Sequence, residues 1–295
     1  MIVKHLYIDN IEEINEPIAI CLGYFDGLHL GHKKIINNAV QNRGLPIGIL
    51  TFDVPVSSFI DNGKSNEVLT SLDDRFRILS HDDIKYYFVF HLSKEFLNLT
   101  PEEFIEKVLK KLNVTEVYIG EDYRFGKGHS GDIELLKKHF KVNVSPLVYI
   151  DNQKVSTQGT IKALKEGNIK EASSYLGRHY QVMGIIVEGQ HLGGKIGFPT
   201  ANIKLATNYV IPKYGVYKTI AFISGIPHIS LTNVGVHPTI NKREEPIIET
   251  HIPNYDSFDY NKTIYLEFVD FVRPEMKFES LNELVLQIEK DLKNI

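Results

Sequence analysis

The first half of the chain alternates short, near-continuous apolar runs with longer amphipathic ones, and this alternation restricts the fold more than any other feature. The runs are IAICLGYF (18–25), IGILTF (47–52), YYFVFHL (86–92), TEVYIG (115–120) and VNVSPLVYI (142–150). Strands apolar on both faces suit a parallel sheet covered on both sides. Between them HKKIINNAV, DDRFRILSHD, PEEFIEKVLKKL and DIELLKKHF carry helical spacing. The third has a marked start: Thr100 and Glu103 form a capping-box pattern, with Pro101 at the first helical position. Strand and helix in alternation predict a doubly wound, Rossmann-like α/β domain with a parallel sheet.

Around residue 154 the texture changes. A helical patch, NIKEASSYL, opens on a further box pattern, Asn168 to Glu171. Then come QVMGIIVEG, GVYKTIAFI, HISLTNVG, PIIETHIP and KTIYLEFVDF, β-rich and separated by Gly, Pro and Asn. Strands without long helices between them predict an antiparallel β-barrel or sandwich. The chain closes on SLNELVLQIEKDL, a helix with a box pattern at Ser280 and Glu283. The expected domains are 1–179, α/β, and 180–295, a β-barrel with a C-terminal helix.

Composition narrows the function. A net charge of −4 over 295 residues supplies no overall basic field, so nucleic acid is not an expected partner. No run of about 18 apolar residues appears, which predicts no membrane span. The single cysteine, Cys21, lies in an apolar run and reads as a core residue of a protein in a reducing, cytoplasmic setting. The acids of MIVKHLYIDNIEEINE stand where a signal peptide needs an apolar stretch.

The stretch GYFDGLHLGH (23–32) follows the first of those apolar runs. In an α/β sheet, ligands bind where strands end and helices begin. A helix N-terminus there offers free N–H groups and positive partial charge. Gly23, Gly27 and Gly31 let the backbone approach a phosphate, and His29 and His32 can donate to it. The bland alternative is a tight turn with surface histidines. The H-x-G-H arrangement resembles the signature of the nucleotidylyltransferase superfamily. Over GYFDGLHLGHKKII it is most similar to the N-terminal domain of the bacterial bifunctional riboflavin kinase/FAD synthetase family. GEDYRFGKGHSGD (120–132) fits that family's G-x-D-F-R-F-G element, with Tyr123 for Phe. The resemblance implies that Gly23, Phe25, Asp26, Gly27, His29, Gly31, His32, Asp122 and Arg124 bind nucleotide. GKGHSG (126–131) also satisfies the dinucleotide pattern G-x-G-x-x-G, but it does not follow its strand directly.

In the second half, GQHLGGKIGFPTAN (189–202) is glycine-rich and ends on Thr200 and Asn202. Such loops bring backbone against phosphate, and a Thr hydroxyl beside one is an oxygen ligand of the kind Mg²⁺ takes. A surface hairpin is the plain alternative. The neighbours LGRHYQVMGIIVEG, YGVY, TNVGVHPT, ETH and RPEMKF resemble the riboflavin kinase domain in order and spacing. The resemblance implies ATP-dependent phosphorylation of riboflavin to FMN. It assigns Glu249 as base, Gly189, Gly193, Gly197, Thr200 and Asn202 to nucleotide and phosphate, and Thr200 and Asn202 to Mg²⁺.

The sequence departs from the family in places. Where the pattern I-S-S-T-x-I-R-x-x-L is expected, the chain reads VSTQGTIKAL (155–164). Ile161 occupies the Arg position, and a one-residue insertion brings Lys162 there instead, without the bidentate fork. TFDVPV (51–56) lacks the His of T-F-D-P-H-P, and His237 replaces an Arg before P-T. Three readings follow: a riboflavin kinase whose N-terminal domain need not make FAD from FMN and ATP, the full bifunctional enzyme, or a flavin-binding regulator.

Overall fold

Five parallel ladders join six strands in the computed structural model. It describes residues 1–295 except 43, 57, 59–65, 190, 191, 237–245, 256 and 257; His237 and the end of TNVGVHPT lie outside the described residues. The chain divides into two units, Met1–Thr157 and Gln158–Ile295. In the first, β1 (Ile2–Leu6), β2 (Ile18–Leu22), β3 (Ile47–Phe52), β4 (Tyr86–Phe90), β5 (Val114–Gly120) and β6 (Lys141–Ser145) form one sheet. Its order is β1-β4-β3-β2-β5-β6, parallel throughout. The order runs one way from β2 through β3 to β4 and the other way through β5 to β6. The switch point is therefore between β2 and β5, where open sheets take their ligands.

Alternate residues of these strands feed two cores. Ile18, Ile20, Leu22, Phe88, Phe90, Val117 and Ile119 pack on one face. Ala19, Cys21, Ile49, Tyr87, Val89 and Tyr118 pack on the other. Cys21 is buried among the latter, as its sequence setting predicted, and burial pushes its thiol pKa up. Helices α1 (Leu30–Gln41) and α2 (Leu72–Leu79) cover this second core. The first is covered by α3 (Pro101–Phe104), which runs on as a π turn over Ile105–Leu109, and by α4 (Ile133–Lys137). The Thr100–Glu103 box forms with both of its bonds. The run 142–150 does not make one strand. Pro146 ends the ladder, and β7 (Tyr149–Ile150) turns back on β8 (Gln153–Lys154) instead.

The second unit begins with α5 (Thr157–Glu166) and α6 (Ile169–Leu176). The Asn168 box is absent: its side chain caps nothing and donates to Glu166 and Glu171. Six strands then close a barrel: β9 (Tyr180–Val187), β10 (Thr200–Leu205), β11 (Gly215–Ile223), β12 (Ile226–Val236), β13 (Pro246–His251) and β14 (Thr263–Arg273). Their order is β10-β13-β12-β11-β14-β9, with antiparallel pairing throughout. Closure leaves no free edge. The C-terminal helix α7 (Leu281–Leu292) is capped by Ser280, but Glu283 accepts from the Glu279 amide rather than returning the bond. It is pinned by Asp291, whose buried carboxylate accepts from Arg273 at 2.8 Å.

The buried face of β11, β12 and β13 carries hydroxyls as well as apolar groups. Thr219, Ser230, Thr232 and Thr250 are all 0% exposed. They satisfy one another: Thr219 Oγ1 meets Ser230 Oγ at 2.7 Å and Thr232 Oγ1 at 2.6 Å, and Thr232 donates to Thr250 at 2.8 Å. Thr232→Val keeps the shape and removes the middle of this chain. It is expected to lower barrel stability by about 1–3 kcal/mol, the cost of orphaning buried hydroxyls. Thermal denaturation of the variant checks this.

Candidate active sites

In the first unit, the turn after β2 has left-handed backbone at Phe25 (φ 55°), Gly27 (φ 76°) and Leu28 (φ 44°). Such a path costs free energy at the non-glycine positions and persists only when its surroundings hold it. Asp26 holds it from below. Its carboxylate, 3% exposed, accepts from the amides of Leu69 (3.0 Å) and Thr70 (2.9 Å) and from the Thr70 hydroxyl (2.9 Å). The same hydroxyl accepts from the Gly27 amide at 2.8 Å. Burial raises the Asp26 pKa, against the opposing pull of the Leu69 and Thr70 bonds and the Arg75 charge.

The turn delivers His29 to the N-cap of α1, where its Nδ1 accepts from the His32 amide at 3.3 Å. In the neutral ring the proton then sits on Nε2, a donor. The His29 and His32 rings stack at 3.6 Å, and Phe25 meets His32 edge-on at 5.2 Å. Gly31 lies against the His29 ring, and Gly23 against Phe25. Burial, then His29, then Arg75 hold the His32 pKa well below the ordinary imidazole value, and its Nδ1 has no hydrogen-bond partner. The first turn of α1 thus sets two stacked imidazoles at a helix N-terminus, where the backbone carries positive partial charge.

Across the switch point, the loop after β5 carries Asp122, Tyr123, Arg124 and Phe125. Between the two loops opens a cavity of about 510 Å³, lined by Gly23, Tyr24, Phe52, Leu99, Phe104, Tyr123, Phe125 and others, with Asp122 and Arg124 among them. Arg124 lies 3.7 Å from Asp132, and Asp122 accepts from Lys154 at 2.7 Å. Asp122 and Arg124 are both more than half exposed. The glycines of GKGHSG are elsewhere in use: Gly126 rests on Pro101, and Gly128 sits in a 3₁₀ turn, Lys127–His129, rather than at a strand–helix junction.

In the barrel, register does the assembly. Asn202 on β10 stands opposite Glu249 on β13, and Glu249 stands opposite Asn233 on β12. The three share a row on the half-buried outer face, while the intervening Ala201 and Thr250 are buried. Thr200, two residues along β10, shares that face. The glycine-rich segment folds over it. A Cβ on Gly189 would strike the Asn202 amide, and one on Gly193 would strike the Phe198 carbonyl beside the Thr200 hydroxyl. The Pro199 carbonyl accepts from His251 Nδ1 at 2.8 Å, and Phe198 packs edge-on to the His251 ring at 5.5 Å. Gly197 has φ 89°. Among the described residues no three His, Cys, Asp or Glu side chains are grouped to hold a metal. The oxygen donors of Thr200 and Asn202 suit a hard cation that arrives on nucleotide phosphates.

Residues 11–159 match the FAD synthetase family model and residues 176–295 the riboflavin kinase model. The bifunctional riboflavin kinase/FMN adenylyltransferase of Listeria monocytogenes is 33% identical over 291 residues, 96% of this chain and 92% of the relative. The protein of that description from Bacillus subtilis is 31% identical over 291 residues, 95% and 92% of the two chains. The chain belongs to the bifunctional riboflavin kinase/FMN adenylyltransferase family. A crystal structure described as a macrolide-efflux protein from Streptococcus pneumoniae has the same architecture, with TM-score 0.91 at 28% identity over 99% of this chain and 98% of that one. Among the described residues, no helix here is long and apolar enough to cross a membrane.

Several residues of these sites escape sequence reading. Arg75 is 1% exposed and ties Tyr24 O (2.9 Å), Thr51 Oγ1 (2.6 Å) and Phe52 O (3.3 Å) together, its guanidinium 4.8 Å from the Tyr24 ring centroid. It braces the ends of β2 and β3 where the family turn begins. The Ser71–Asp74 capping box, legible in TSLDD, marks the helix that carries it but not its burial. Asn233 lies in TNVGVHPT, but its place beside Glu249 emerges only through strand register. At the family's Arg position, Ile161 is half-buried on α5, and Lys162 is exposed with its amine 3.9 Å from Glu166.

The depressed His32 pKa gives a pH test. The unfolded ring takes up a proton near the ordinary value of 6.5, while the folded ring resists it. Stability from this group is therefore complete above pH 6.5 and declines as pH falls through the unfolded value. Thermal midpoints measured from pH 7.5 to 5 are expected to fall more in the wild type than in His32→Gln.

Proposed function

We propose that the chain phosphorylates riboflavin to FMN on the outer face of its barrel and joins FMN to the adenylyl group of ATP at the switch point of its parallel sheet. For the first reaction the supporting observation is the row Asn202–Glu249–Asn233, with Thr200 beside it under the glycine-rich loop. The ribityl hydroxyl attacks the γ-phosphorus of ATP, the bond to ADP breaks, and Glu249 accepts the hydroxyl proton. Thr200 and Asn202 would hold the phosphates and the Mg²⁺ they carry, an ion that when bound would neutralise charge on the group in transfer. A passive flavin binder has no use for a carboxylate facing two amide side chains in this way.

For the second reaction, a phosphate oxygen of FMN attacks the α-phosphorus of ATP, and pyrophosphate departs with the electron pair of the broken bond. The N-terminus of α1, His29 and His32 bind the polyphosphate. The apolar cavity beside Tyr24 and Tyr123 accepts the flavin ring, with Asp122 and Arg124 at its polar side. Asp26 acts through the shape of the turn. Since neither Ile161 nor Lys162 supplies a guanidinium, adenylyl transfer is expected to be the slower of the two reactions. The buried single thiol agrees with a reducing, cytoplasmic setting.

One assay tests both halves: purified protein with riboflavin, ATP and Mg²⁺, the FMN and FAD formed being separated. Glu249→Gln is expected to lower FMN formation from riboflavin by about 10²–10⁴ without loss of folded protein, as removal of a general base does. His29→Ala is expected to stop FAD formation from supplied FMN while riboflavin is still phosphorylated. Normal FMN turnover in Glu249→Gln, or normal FAD formation in His29→Ala, contradicts the corresponding assignment.

A further inference from the structure

We infer that Lys154 is the cation that meets the polyphosphate of ATP in adenylyl transfer, doing in this chain the work for which α5 offers no suitable side chain; the inference rests on the adenylyl-transfer reading above. Lys154 ends β8, the second strand of a two-residue hairpin whose turn, Asp151 and Asn152, has φ 47° and 62°. Positive φ at both turn residues gives the tight turn whose twist matches paired strands, so the backbone of Lys154 is fixed from its N-terminal side. On its other side, Val155 donates its amide to Val148 O at 2.9 Å and is itself buried. Its carbonyl lies 3.9 Å from where a Cβ on Gly31 would stand, at the first turn of α1. Thr157 then donates its hydroxyl to Asp26 O at 3.3 Å. The segment from Lys154 to Thr157 is thus laid across the same turn that carries His29 and His32.

The side chain points from there to the other lip of the switch point. Its amine donates to Asp122 Oδ2 at 2.7 Å, and Asp122 borders the 510 Å³ cavity. Both side chains stay accessible, Lys154 at 42% and Asp122 at 56%. An ion pair so exposed contributes little to stability. Its value lies in position: a flexible cation is stationed between the helix N-terminus and the cavity, with a carboxylate to park on before nucleotide arrives. The departing pyrophosphate gains negative charge as the bond from the α-phosphorus breaks, and an ammonium there stabilises it as a point charge. On α5, by contrast, Lys162 extends into solvent toward Glu166.

The test uses the full chain and the variants Lys154→Ala and Lys154→Arg. In FAD formation from FMN, Lys154→Ala is expected to lower kcat/KM for ATP by about 10²–10³, the loss of one charged phosphate contact. Lys154→Arg should stay within about tenfold of wild type, and both variants should keep the wild-type thermal midpoint and riboflavin phosphorylation. Full FAD turnover in Lys154→Ala, or equal losses in both variants with a fallen midpoint, overturns the inference. Calorimetric titration with ATP separates this from failure of the underlying reading. If the wild type makes no FAD, the adenylyl-transfer reading fails, and the titration still decides on Lys154. Two ATP sites in wild type with one weakened tenfold or more in Lys154→Ala sustain its phosphate role; a single wild-type site, or two sites unchanged in the variant, ends it.

Discussion

The register of β10 against β13, and of β13 against β12, is the constraint on which the barrel's chemistry depends. Side chains alternate along a strand, so a slip of one residue would carry Thr200, Asn202 and Glu249 into the interior. The interior opposes such a slip. Thr219, Ser230, Thr232 and Thr250 are buried and bonded to one another across three strands. A one-residue slip of β13 against β12 would strand those hydroxyls and bury the Glu249 carboxylate, both costly in an apolar medium. The polar ladder on the inner face and the polar row on the outer face are thus two consequences of one register.

The parallel sheet solves a different problem. Its strand order places the loops after β2 and β5 side by side, but the loop after β2 must follow a left-handed path to bring its histidines to a helix start. Two buried ionisable groups secure that path. Asp26 gathers donors from the Leu69–Thr70 backbone, and Arg75 gathers acceptors at the ends of β2 and β3. Each is satisfied by hydrogen bonds, so neither is a bare charge in the core. Strain at Phe25 and Leu28 is borne by this frame, which holds the two imidazoles stacked at the start of α1.

Much of this was legible in the residues. Four of the five apolar runs each gave one strand, because a parallel sheet covered on both faces needs apolar side chains on both, while 142–150 broke at Pro146 into the end of β6 and β7. The Thr100 box formed as read. Strand β1, an exposed edge with mixed IVKHL, lacked that signal, and β10 was hidden inside a motif that reads as a loop. Asn168 failed as a cap because its amide turned to two glutamates, a choice that sequence spacing does not encode. Site identities came from motifs, since glycines, histidines and ETH have recognisable spacing. The partners Asn233, Thr70, Arg75 and Lys154 did not, because they reach the sites through pairing and long-range packing.

The central claim is that nucleotide and flavin meet on the outer face of β10 and β13. Backbone amide NMR of the full chain, titrated with ADP and Mg²⁺ and then with FMN, tests it most directly. The account predicts the largest shifts at Gly193, Gly197, Thr200, Asn202 and Glu249 within the barrel unit. Shifts that spare this row and gather on another face of the barrel would contradict it.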